Sequence, residues 1–80
     1  MTLAADSNAG AAPATIRVNG VDEPLAAGTL GELLAARGIV PGARGVAVAL
    51  DGTVVPAADW AGTRLAPGAE IEIVRPFQGG

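Results

Sequence analysis

The sequence predicts an α+β fold, a mixed sheet of four to five strands with one main helix packed on one face. Three observations carry this reading. Asn19-Gly20 and Asp51-Gly52 each sit between short apolar runs, and such dipeptides tolerate the positive φ of a type I′ turn, which joins two strands into a hairpin. Between them, Thr29-Leu30-Gly31-Glu32 has the spacing of a capping box that opens a helix. Near the end, Glu70-Ile71-Glu72-Ile73-Val74-Arg75 alternates strictly and supplies one more strand.

Residues 1–14 include Asp6, Ser7, Asn8, Gly10 and Pro13 among small residues. They offer almost nothing to bury and cannot offset their ordering entropy, so a disordered leader is expected. Thr15-Ile16-Arg17-Val18 alternates polar and apolar, with Ile16 and Val18 toward the core. After the Asn19-Gly20 turn comes Val21-Asp22-Glu23-Pro24-Leu25; Pro24 lacks a backbone donor, which places this strand at a sheet edge. In the helix that follows, Leu30, Leu33 and Leu34 share a face, Arg37 suits the negative end of the helix dipole and Gly38 stops the helix. At about two turns it needs a sheet to pack on.

Ile39 to Arg44 contains Pro41-Gly42 and reads as a turn. Gly45-Val46-Ala47-Val48-Ala49-Leu50 then sets Val46, Val48 and Leu50 on one face and Ala47 and Ala49 on the other. The alanine face would let a partner approach closely; a coding bias toward alanine accounts for it equally well. Asp51-Gly52 and Thr53-Val54-Val55 complete a second hairpin, closed by Pro56. From Ala57 to Leu65 no clean period holds, which suggests a turn or short helical piece that lays Trp60 and Leu65 against an open end of the core. Ala66-Pro67-Gly68-Ala69 has the proline and glycine of a type II turn. A right-handed crossover through the helix brings the first and last strands together in the centre, which is the β-grasp arrangement. The expected organisation is a leader at 1–14, one β-grasp domain at 15–75 and a flexible tail at 76–80.

Eighty residues suit a single domain that buries only about 60% of the surface its unfolded chain exposes. The net charge is −3, and arginine supplies all five positive charges without clustering. Nucleic-acid binding therefore has no electrostatic footprint. A mildly acidic surface fits a protein partner with a basic face, or simply solubility. The absence of cysteine excludes disulfides, thiolate nucleophiles, Cys-ligated zinc and iron–sulfur clusters. Histidine, lysine and tyrosine are absent as well, and the hydroxyls have no base to activate them. No metal site and no catalytic residue are expected, so the chain is read as a non-enzyme. It has neither an apolar run of about 18 residues nor a signal-peptide pattern at its start, so a cytoplasmic protein is expected.

The chemistry is expected at the other end, in Arg75-Pro76-Phe77-Gln78-Gly79-Gly80. Pro76 stops the strand. A carboxylate on Gly80, preceded by Gly79 with no Cβ, can thread a channel too narrow for other side chains. Such a carboxylate is a poor acyl donor until activated, for instance as an acyl-adenylate. At a glycine background of roughly 7%, a terminal Gly-Gly arises by chance in about one chain in two hundred. It gains force from following the last strand of a β-grasp.

Residues 15–80 resemble the ubiquitin-like sulfur carriers, and among them the ThiS type of thiamine biosynthesis. The shared residues are Val18-Asn19-Gly20, Val46-Ala47-Val48-Ala49-Leu50, Val55-Pro56 with Trp60 four residues on, Leu65 with Pro67-Gly68-Ala69-Glu70-Ile71-Glu72-Ile73, and Gly79-Gly80. The resemblance implies a ThiF- or E1-like adenylating enzyme that uses ATP to activate Gly80, and a sulfur-donating enzyme that converts it to a thiocarboxylate. It also implies thiazole synthase as the sulfur acceptor. No cofactor is expected on the chain itself. Phe77, Gln78 and Gly79 would enter the partner's active site. Pro76-Phe77 is also similar to the small subunit of molybdopterin synthase, whereas Val55-Pro56 with Trp60 favours ThiS. Two further readings stay open. One is a passive β-grasp interaction module that uses a face bearing Ala47, Ala49, Glu70 and Glu72; the other is a modifier attached through Gly80 to lysines of target proteins.

Overall fold

Both dipeptide turns form, and they fix the register of the sheet. Residues 14–75 are described by the structure, a computed structural model; residues 1–13 of the expected leader and the expected tail at 76–80 lie outside the described residues, while Ala14, read as the leader's last residue, accepts the Leu25 N–H at 3.0 Å. Strands β1 (Thr15–Val18) and β2 (Val21–Pro24) pair antiparallel, Thr15 opposite Pro24 and Val18 opposite Val21. Asn19 at φ 51 and Gly20 at φ 84 supply the two left-handed residues of the turn. Asp51 at φ 51 and Gly52 at φ 84 do the same between β3 (Ala47–Leu50) and β4 (Thr53–Val54). Strand β5 (Glu70–Val74) enters through the turn at Gly68, φ 85, where Ala69 N–H donates to the Ala66 carbonyl at 3.1 Å.

The strand order is β2-β1-β5-β3-β4. β1 and β5 are parallel and the other pairs antiparallel, so the sheet is mixed and first and last strands are neighbours, as expected of a β-grasp. Pro24 lies on the edge strand its missing donor requires.

Helix α1 (Leu30–Ala36) is capped by Thr29, whose Oγ1 accepts the Glu32 N–H at 3.2 Å. The reciprocal half of the capping box differs from expectation: the Glu32 carboxylate accepts from Gly28 N–H at 2.8 Å, one residue ahead of the cap. At the other end Gly38, φ 79, donates to the Ala35 carbonyl and Ile39 N–H donates to the Leu34 carbonyl, both at 2.9 Å. This pair of bonds is a Schellman motif, and it folds the residue after the glycine back onto the last turn. Ile39 is therefore a core residue, 4% exposed, rather than the start of a loop.

Ile16, Val18, Val48 and Ile71 from the sheet meet Leu30, Leu33 and Leu34 from the helix, all buried. A 3₁₀ helix, Ala57–Gly62, and the segment after it close the open end with Trp60 and Leu65. Trp60 Nε1 donates to the Val55 carbonyl at 2.9 Å, which gives the Val55-Pro56 to Trp60 spacing a physical cause: the indole N–H reaches back to the hairpin it follows, so its burial leaves no donor unmet.

Candidate functional site

The pleat of β5 sends Ile71 and Ile73 toward the helix and Glu70, Glu72 and Val74 to the opposite face. The register sets Glu70 opposite Arg17, Glu72 opposite Ala49, Val74 opposite Ala47 and Ala49 opposite Val54. The four face residues read from the sequence, Ala47, Ala49, Glu70 and Glu72, thus share the outer face of the sheet.

That face has two zones. Toward β2, Arg17 stands between two carboxylates, with Nε donating to Asp22 Oδ1 at 3.1 Å and Nη1 lying 3.6 Å from Glu70 Oε2. The hydrogen bond and charge of Asp22, then the charge of Glu70, raise the Arg17 guanidinium further above its ordinary range. Glu70 is thereby partly neutralised, whereas Glu72 makes no ion pair among the described residues. Toward β4, Ala47 and Ala49 lie beside Val54 and Val74, which are 68% and 62% exposed. Small side chains flanked by uncovered valines form an apolar strip that runs to the last residue of β5.

The remaining carboxylates in β2 and at the helix start are occupied structurally. Glu23 pairs with Arg37 between β2 and the end of α1, both partly buried, and Glu32 serves the helix start.

Strand β5 is held at both ends by side chains from the two hairpin turns. At its start Asp51 Oδ1 accepts the Glu70 N–H at 2.9 Å while Asp51 N–H donates to the Glu70 carbonyl at 2.7 Å. Toward its end Asn19 N–H donates to the Ile71 carbonyl at 2.9 Å. The Asn19 carboxamide then engages both backbone groups of Ile73, Oδ1 accepting its N–H at 2.7 Å and Nδ2 donating to its carbonyl at 3.3 Å. Arg75 Nη2 donates to the Arg37 carbonyl at the end of the helix, at 3.3 Å. The sequence marks Asn19 and Asp51 as turn formers; their second role depends on a strand more than fifty residues from Asn19 and carries no local signal. Phe77, Gln78, Gly79 and Gly80 lie outside the described residues, so the structure defines where the chain leaves the sheet ahead of them.

The ThiS family model matches residues 14–80. Among solved structures, the crystal structure of a thiamine biosynthesis protein (ThiS) from Geobacter metallireducens is similar, with 29% sequence identity and a TM-score of 0.62; the match covers 82% of this chain and 99% of that chain. No curated protein matches. Matched from Ala14 to Gly80, and with the sheet order and helix of a β-grasp, the chain belongs to the ThiS family.

Proposed function

We propose that this protein is a sulfur carrier for thiamine biosynthesis whose reacting group is the carboxylate of Gly80. The observation that carries the reading is the family match, which runs through β5 to Gly79-Gly80. In the reaction, a carboxylate oxygen attacks the α-phosphorus of ATP bound by an adenylating enzyme of the ThiF or E1 type, and pyrophosphate leaves. A sulfur nucleophile at the oxidation level of sulfide, passed on by a sulfur-donating enzyme, attacks the Gly80 acyl carbon; the bond from that carbon to the AMP oxygen breaks, AMP leaves, and a thiocarboxylate remains. Thiazole synthase takes that sulfur. ATP belongs to the activating enzyme, and the carrier itself holds no cofactor and supplies no catalytic group.

The chain's own contribution is positional. Phe77, Gln78 and Gly79 enter the partner's active site, and the outer face with Ala47, Ala49, Glu70 and Glu72 docks against it, the apolar strip leading to the tail. With no cysteine or lysine in the sequence, no thiol or side-chain amine of the carrier competes for the activated acyl group. Among the described residues no helix is long and apolar enough to cross a membrane, and we place the carrier in the cytoplasm with its partners.

Intact-mass measurement after incubation with a cognate activating enzyme, ATP and a sulfur donor tests the reading. The expected result is the gain of one oxygen-to-sulfur exchange at Gly80, lost when Gly80 is deleted or one residue is appended. An unchanged mass sinks it. The exposed Val54 and Val74 beside Ala47 and Ala49 also suit a passive interaction module. That module would tolerate changes at Gly79 and Gly80 but lose its partner on charge reversal at Glu70 or Glu72. Complementation of a thiazole auxotroph against a molybdopterin-deficient strain identifies the sulfur acceptor.

A further inference from the structure

β1 and β5 run side by side, but they do not end together. Val18, the last residue of β1, lies opposite Ile71, after which the hairpin turn carries the chain away toward β2. β5 continues through Ile73 to Val74. On its β3 side that extension is still paired, Val48 opposite Ile73 and Ala47 opposite Val74. On its β1 side no strand remains among the described residues. The backbone ladder there runs from Arg17 N–H to the Ala69 carbonyl and from Asn19 N–H to the Ile71 carbonyl, each at 2.9 Å, and its next rung is made by a side chain. The Asn19 carboxamide presents an acceptor oxygen and a donor nitrogen at the spacing of a peptide group; its oxygen accepts the Ile73 N–H at 2.7 Å and its nitrogen donates to the Ile73 carbonyl at 3.3 Å.

We propose that Asn19 is a positioning residue for the C-terminal segment: its carboxamide substitutes for the missing strand residue and keeps Ile73 in the sheet, so that the chain leaves the domain at a fixed place. Arg75, bonded to the Arg37 carbonyl, adds a second hold just past the strand. The consequence for activation rests on the carrier reading given above; the hold on Ile73 does not. A terminus tethered to a rigid exit reaches a partner's centre at a higher effective concentration than one on a longer loose arm. Asparagine suits the position because it also tolerates the left-handed backbone of the turn, which it adopts here at φ 51.

The test compares Asn19→Gly, Asn19→Asp and Asp51→Gly in the full chain. Glycine keeps the turn and removes the carboxamide; aspartate keeps the acceptor for Ile73 N–H and removes the donor. Asp51→Gly removes the matching contact at the opposite end of β5, at Glu70 rather than Ile73. Amide hydrogen exchange is read at Ile73 and Arg75, together with steady-state kinetics of adenylation. Asn19→Gly is expected to speed exchange at Ile73 and raise KM for the activating enzyme about fivefold, the worth of one net hydrogen bond, with kcat unchanged. Asn19→Asp is expected to recover protection at Ile73 and most of the KM, and Asp51→Gly to leave KM as it was. Wild-type exchange and KM in Asn19→Gly overturn the proposal. So does an equal rise in KM for Asn19→Gly and Asp51→Gly, or an Asn19→Gly chain that fails to fold, since either makes Asn19 a folding residue only. If the wild-type chain is never activated, the carrier reading fails, and exchange at Ile73 still decides whether Asn19 holds the strand.

Discussion

An alanine at Gly31 would gain about 1 kcal/mol of helix propensity, yet its Cβ would lie 3.1 Å from Ala61 Cα and 3.2 Å from Ala61 N. These are backbone atoms, and the segment that carries them has little room to move. Trp60 anchors it in the core and through Val55. Leu30 N–H to the Thr63 carbonyl at 2.8 Å and Leu65 N–H to the Gly28 carbonyl at 3.0 Å tie its far end to the start of the helix. Overpacking of this kind costs typically about 1–3 kcal/mol, so Gly31→Ala is expected to destabilise by about 1 kcal/mol net, checked by urea denaturation followed by circular dichroism. An unchanged or raised midpoint would show that the 3₁₀ helix yields. The sequence marks Gly31 only as part of a capping box. Its contact with Ala61 joins residues thirty apart, and no local pattern announces it. Ile16, Val18, Val48 and Ile71 are the opposite case, because alternation along one strand is enough to assign the buried face.

At the level of elements, the ends of helices and hairpins were legible wherever a single dipeptide or cap decides the backbone. Gly38 illustrates both the reach and the limit of that signal. Its glycine predicts the stop, but the buried Ile39 follows only from the bonding pattern that a left-handed residue at that place permits. A Cβ at Gly38 would meet nothing within 4 Å, so Gly38→Ala tests backbone strain alone. The left-handed conformation costs an L-residue roughly 1–2 kcal/mol, and that loss is expected in the unfolding free energy. Gly62, at the end of the 3₁₀ helix, also has open space around an added Cβ but does not sit in the left-handed region. Gly62→Ala is expected to be neutral or to stabilise by up to about 1 kcal/mol by restricting the unfolded chain. Equal losses at both sites would remove the Schellman motif as the explanation. The half-buried pairing of Glu23 with Arg37 was not legible, since it joins β2 to the helix end and each residue alone reads as a solvated charge.

For the whole molecule, the sheet order follows from the element order and one rule of connection, which is why the fold could be read without a core inventory. The outer face was legible as a set of residues but not as two zones, because Arg17 comes between Asp22 and Glu70 only once β1 lies beside β5. The same ion cluster bears on pH dependence. A guanidinium raised by its partners contributes below its ordinary range and loses the contribution only as pH rises past it, in strong alkali. With no histidine, cysteine, lysine or tyrosine, the terminal amino group is the one group whose ordinary range lies near neutrality. The thermal midpoint is therefore expected to move by less than about 2 °C between about pH 6 and about pH 9; a larger drift in calorimetry contradicts this. The parallel pairing of β1 with β5 has a practical consequence as well. Both strands point the same way, so Ala14 and Arg75 stand at opposite ends of the sheet, on the order of 20 Å apart at the rise of an extended chain. An affinity handle fused ahead of the first strand can anchor the protein to a surface while the other pole faces solution. Immobilised capture of the proposed partner enzymes should therefore be oriented from the amino-terminal side.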